Sequence, residues 1–99
     1  MHPGERILLI EDDRDIAAVV SANLRDEGFR VEHATDGRSG LDRALRDPPD
    51  LVILDLGLPL LDGVDVCRRL RQRDPATPIL MLTARGAEAD RVRGLETGA

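Results

Sequence analysis

Three consecutive acids, Glu11, Asp12 and Asp13, directly follow the apolar run Ile7-Leu8-Leu9-Ile10, and a second apolar run, Leu51-Val52-Ile53-Leu54, delivers Asp55 in the same way. Short runs rich in Ile, Leu and Val suit strands buried on both faces, which in a parallel sheet end together at one carboxyl edge. Glu11, Asp12 and Asp55 are therefore expected to converge in space. Carboxylates brought together raise one another's pKa and repel unless a cation joins them, and hard oxygen donors favour Mg²⁺ over soft metals. The spacing thus implies an acidic, metal-binding pocket.

The elements that must position these acids follow from periodicity. After the first strand, Ile16, Val19, Val20 and Leu24 recur at helical spacing, and Gly28 stands where that helix should stop. A short strand is expected over residues 29–33. Asp36-Gly37 marks a turn and N-cap for a second helix striped by Leu41, Ala44 and Leu45. Asp47-Pro48-Pro49-Asp50 breaks that helix before the third strand. Residues 58–63 form a loop into a third helix with Val64, Cys67 and Leu70 inward. Pro75 and Pro78 precede a fourth strand over Ile79 to Leu82, closed by Thr83, and Ala89, Val92 and Leu95 stripe a fourth helix ending near Gly98.

Strict β-α alternation with short connections predicts an α/β fold, a doubly wound parallel sheet with helices on both faces. In such folds the ligand site lies beyond the carboxyl ends of the strands at the switch point of strand order, where Asp12, Asp55 and Thr83 all fall.

Composition sets the limits. Ninety-nine residues with 41% hydrophobic content make one domain with a core of its own. A net charge of −5 with 19 acidic residues argues against gripping nucleic acid, which draws affinity from basic patches. All 14 basic residues are Arg, so lysine chemistry is excluded within these residues. The single cysteine, Cys67, rules out an intrachain disulfide and a multi-cysteine metal site, and suits a reducing cytoplasm. No apolar stretch approaches the roughly 20 residues a bilayer requires, so no membrane association is expected.

These motifs resemble the receiver domain of bacterial two-component response regulators across nearly all of residues 5–99. They are Ile-Leu-Leu-Ile-Glu-Asp-Asp at 7–13, Asp50-Leu-Val-Ile-Leu-Asp55-Leu-Gly-Leu-Pro59 with Asp62-Gly63, and Met81-Leu-Thr83-Ala84-Arg85. The resemblance implies a flavodoxin-like sheet of order 2-1-3-4. It makes Asp55 the phosphoacceptor and Thr83 the switch hydroxyl. Glu11 and Asp12 become the acid pair that holds Mg²⁺, and Asp55 and the Gly57 carbonyl complete the metal's protein ligands. Residues 90–99 look like the winged-helix transcription-factor branch. The implied partners are a sensor histidine kinase, which donates the phosphoryl group, and an effector domain, DNA-binding in that branch; homodimerisation is compatible with both. The implied role is a cytoplasmic signalling phosphoacceptor, not an enzyme beyond assisting its own phosphoryl transfer and dephosphorylation. The family continues past Gly98-Ala99 into a fifth strand carrying a Lys-Pro pair and a fifth helix, so residues 1–99 are expected to be a C-terminally incomplete receiver.

Other readings weigh against this one at particular residues. Asp13 is best read as the cap of the first helix, Cys67 as a small core hydrophobe, and Arg68 to Arg73 as a solvated helix face. His2 and His33, far apart and without companion ligands, receive no function. A haloacid-dehalogenase-like phosphatase also uses a nucleophilic Asp and Mg²⁺ at a strand end, but needs a second Asp where Gly57 stands. A pseudo-receiver that keeps the fold as an interaction scaffold is the remaining alternative, favoured by the missing Lys and disfavoured by the intact acids.

Overall fold

The computed structural model describes residues 4–55 and 63–82. They form β1 (Arg6–Ile10), α1 (Arg14–Asp26), β2 (Arg30–Ala34), α2 (Gly37–Arg46), β3 (Leu51–Asp55), α3 (Gly63–Arg73) and β4 (Ile79–Leu82). Every strand pairing is parallel, and the order across the sheet is β2-β1-β3-β4. This is the expected doubly wound topology, with its switch point between β1 and β3.

Side-chain alternation divides the core into two layers. On one face Leu8, Ile10, Val52, Leu54, Ile79 and Met81 pack with Leu41 and Ala44 of α2 and with Val66, Cys67 and Leu70 of α3. On the other, Ile7, Leu9 and Ile53 pack with Ala17, Val20 and Leu24 of α1. Residues 7–10 are buried on both sides, as a central parallel strand demands.

The helix boundaries are set by short polar devices. Asp13 caps α1, its side chain accepting from the N–H groups of Asp15 (2.9 Å) and Ile16 (3.1 Å), as expected. At the other end Gly28 takes a positive φ of 96°, Gly28 N–H donates to Arg25 O and Phe29 N–H to Leu24 O. That is the Schellman arrangement, in which a residue without Cβ carries the left-handed turn. It also explains why β2 begins at Arg30 and not at residue 29: the Phe29 N–H is already committed to the helix end. Asp36 caps α2 by accepting from Ser39 N–H at 2.8 Å.

Two helical stripes differ from the periodicity reading. The sheet-facing stripe of α1 is Ala17, Val20, Ser21 and Leu24, while Ile16 and Val19 are 40% and 62% exposed. Small Ala17 and Ser21 let the helix lie close to the sheet, which turns the bulkier neighbours outward. In α3 Val66 joins Cys67 and Leu70 at full burial, and Val64 is only partly covered. The fourth helix over residues 89–95 lies outside the described residues.

Candidate functional site

Strand register brings the acids together. Ile10 pairs with Leu54 across β1 and β3, so Glu11 and Asp55 occupy the next level of the sheet side by side. The register is pinned at the far end of β3, where Asp50 N–H donates to Arg6 O (2.9 Å) and Arg6 N–H donates back to Asp50 Oδ2 (2.7 Å). The sequence marked Asp50 as the end of a helix-breaking segment and the start of the second motif, and gave it no part in strand register. A slip of one residue there would send Asp55 to the opposite face from Glu11.

Carboxylate oxygens of Glu11, Asp12 and Asp55 lie within 4.8 Å of one another. The three differ in exposure: Asp12 is exposed, Asp55 half-buried, and Glu11 only 4% exposed. Glu11 and Asp55 border a cavity of about 150 Å³ whose other walls are Leu9, Ile10, Ile16, Val20, Ile53 and Leu82. Hydrocarbon on that side explains the electrostatics. Burial pushes the Glu11 carboxyl up to about 8, reinforced by a hydrogen bond to Asp55 and by the negative charges of Asp55, Asp12 and Asp13. Burial and the neighbouring carboxylates thus favour the protonated form of Glu11 in the metal-free site.

Glu11 Oε2 is buried and has no hydrogen-bond partner among the described residues. An unsatisfied buried carboxylate oxygen is costly, and a hard cation held by three carboxylates would satisfy it and neutralise the repulsion. The donor set is all oxygen, which fits Mg²⁺ and excludes the soft-ligand metals.

Of the residues the sequence singled out, the structure thus assembles Glu11, Asp12 and Asp55. Gly57, Thr83 and His2 lie outside the described residues. Cys67 is fully buried, and burial pushes its thiol up, in keeping with a core role. Arg68 pairs with Asp65 at 3.5 Å on the exposed face of α3, an ordinary surface ion pair. One residue the sequence left without a role does reach the site: His33 Nε2 lies 2.7 Å from the backbone oxygen of Glu11. Their separation of 22 positions carries no local signal, and only the pairing of β2 with β1 brings them together.

A parallel α/β sheet with a buried acid, an exposed acid and a strand-end Asp at its switch point defines a class of domain, doubly wound with an acidic pocket at the carboxyl edge of its sheet. Comparison with known proteins narrows the class. The family model described as "Response regulator receiver domain" matches residues 7–99. The chain belongs to the response regulator receiver domain family. It is 45% identical over 96 residues to the alkaline phosphatase synthesis transcriptional regulatory protein PhoP of Bacillus subtilis, covering 97% of this chain and 40% of that protein. It is 46% identical over 95 residues to the transcriptional regulatory protein CreB of Escherichia coli, covering 96% and 42%. The chain therefore spans about two fifths of the length of these curated relatives. Among solved structures it resembles the Francisella response regulator 1452 receiver domain (TM-score 0.88, 26% identity, 97% of this chain and 79% of that one). The chemotaxis response regulator CheY4 of Vibrio cholerae is similar too (TM-score 0.86, 33% identity, 97% and 82%). No helix among the described residues is long and apolar enough to cross a membrane.

Proposed function

We propose that this chain is the phosphoacceptor domain of a cytoplasmic two-component signalling protein, taking a phosphoryl group on Asp55 from a sensor histidine kinase to control an output domain acting in transcription. The observation that carries the reading is the convergence of the Glu11, Asp12 and Asp55 carboxylates within 4.8 Å around a buried Glu11 oxygen that has no hydrogen-bond partner among the described residues. Similarity to transcriptional regulators supports the output side.

In this reading an Asp55 carboxylate oxygen attacks the phosphorus of the kinase's phosphohistidine. The new P–O bond forms as the P–N bond breaks, and the leaving imidazole nitrogen keeps the electron pair. Asp55 suits the role because it is half-buried at a strand end, held on the β3 backbone between two neighbouring strands. Glu11 and Asp12, with Asp55 and the Gly57 carbonyl, would hold Mg²⁺. Bound Mg²⁺ supplies charge neutralisation on the transferring phosphoryl oxygens. Glu11 gives up its proton when the site is loaded, since a metal ligand must be ionised. The Thr83 hydroxyl is the proposed switch group that donates to the phosphoryl oxygen and biases the loop that follows. The domain is a signalling phosphoacceptor and not an enzyme in its own right, although it assists its own transfer and dephosphorylation.

The test is intact mass after incubation with Mg²⁺ and acetyl phosphate, beside an Asp55→Asn control. One phosphoryl adduct on the unaltered chain and none on the control is the expected result. An adduct that survives in Asp55→Asn would remove Asp55 from the role, and no adduct on either chain would favour the scaffold alternative.

A further inference from the structure

The Glu11 peptide is gripped from one side by β2. Its N–H donates to Ala34 O at 3.0 Å, the last rung of the β1–β2 ladder. Its carbonyl oxygen then meets His33 Nε2 at 2.7 Å. A carbonyl can only accept, so the imidazole nitrogen at this contact carries the hydrogen and donates it. The His33 ring is half-buried on the α1 side of the sheet, beside a cleft that α1 lines from Arg14 to Arg25. The backbone of His33 is itself anchored, its carbonyl accepting from Arg43 Nη1 of α2 at 3.3 Å. His33 is thus a fixed donor, not a loose surface ring.

We infer that His33 is a positioning residue for the cation site: by holding the Glu11 carbonyl it fixes the turn that sends Glu11 inward and Asp12 outward onto the same cation. With the peptide groups before and after Glu11 both tethered to β2, the chain leaves the sheet at Glu11 in a single direction. Asp12, which is exposed and has no hydrogen bond among the described residues, owes its orientation to that direction and to the cap at Asp13. Outer partners that orient metal ligands typically change affinity by roughly 10- to 100-fold when removed. The inference rests on the proposed Mg²⁺ reading of the acid cluster.

The experiment compares the unaltered chain with His33→Leu and His33→Gln, reading Mg²⁺ affinity by calorimetric titration with MgCl₂ alone, and thermal unfolding in EDTA. Gln can place an amide N–H where the imidazole Nε2–H lies; Leu fills similar space and cannot donate. Mg²⁺ affinity is expected to fall roughly tenfold or more in His33→Leu and to return to within about threefold of the unaltered chain in His33→Gln. A His33→Leu chain that melts lower in EDTA yet binds Mg²⁺ with unchanged affinity would reduce His33 to a structural contact and overturn the inference. Equal weakening in both variants would overturn the donor role. If the unaltered chain binds no Mg²⁺, the cation reading itself fails and takes this inference with it, an outcome distinct from the other two.

Discussion

Gly40 sits in α2 where the helix crosses the end of β1, and a Cβ built there would run into the Ile10 side chain. It would touch Ile10 Cδ1 and stand 2.6 Å from Cγ1 and 2.9 Å from Cγ2. Ile10 has no exposure at all, so the isoleucine cannot swing into solvent to make room. Gly40→Ala sets two effects against each other. Helix propensity favours Ala by about 1 kcal/mol. Overpacking a filled core costs about 1–3 kcal/mol, and contact with three carbons of an immobile side chain places this site near the upper figure. The net expectation is destabilisation by about 1–2 kcal/mol, a fall in Tm of roughly 4–16 °C for a domain of this size. Urea unfolding followed by circular dichroism measures it, with an unchanged slope showing that the transition remains of the same kind. A double-mutant cycle locates the cause: Ile10→Val removes Cδ1, and its own cost of about 0.5–1.5 kcal/mol should shrink or change sign in the Gly40→Ala background. A Gly40→Ala chain as stable as the parent or more so, or additivity with Ile10→Val, would refute the steric argument and leave propensity as the governing term.

Two further predictions concern the acids. Burial raises the Glu11 carboxyl from its ordinary 4.5 to about 8 in the folded metal-free chain, so between those pH values the folded state binds more protons than the unfolded chain. Metal-free stability is therefore greatest below about pH 4.5 as far as Glu11 is concerned, and is lost as pH rises toward 8, by at most roughly 1.4 kcal/mol per unit. Saturating Mg²⁺ should flatten or reverse that slope and release up to one proton at pH 7; urea midpoints against pH with and without the metal, and calorimetry in buffers of different ionisation enthalpy, check both. Asp13→Ala removes the α1 cap and should lower stability by about 1 kcal/mol, with Asp13→Asn close to the parent; equal losses in both variants would count against the capping role.

Much of this domain was legible in the linear sequence, because local chemistry carries it. Apolar runs ending in acids announced β1 and β3 and the edge where they finish, Gly28 stopped α1, Asp13 and Asp36 capped helices, and β-α alternation implied the parallel sheet. These signals depend on a few neighbouring residues and on the two periodicities of helix and strand. The three converging acids were legible for the same reason, since strands of one parallel sheet must end at the same edge.

Tertiary structure decided what depends on register, approach and enclosure. Whether Glu11 stands beside Asp55 rests on the Ile10–Leu54 pairing and on the Asp50–Arg6 clamp, a contact across 44 positions. Which side of α1 is buried depended on Ala17 and Ser21 being small enough to approach the sheet, and helical spacing by itself could not say so. The asymmetry between a buried Glu11 with a raised pKa and an exposed Asp12 comes from the apolar cavity beside one and solvent around the other, although the two are adjacent in sequence. The grip of His33 on the Glu11 carbonyl exists only once β2 lies alongside β1. Residue types and spacing therefore determined which groups could do chemistry at this edge, while the packing of α1 and β2 around it determined the charge, the exposure and the direction with which each group meets a ligand.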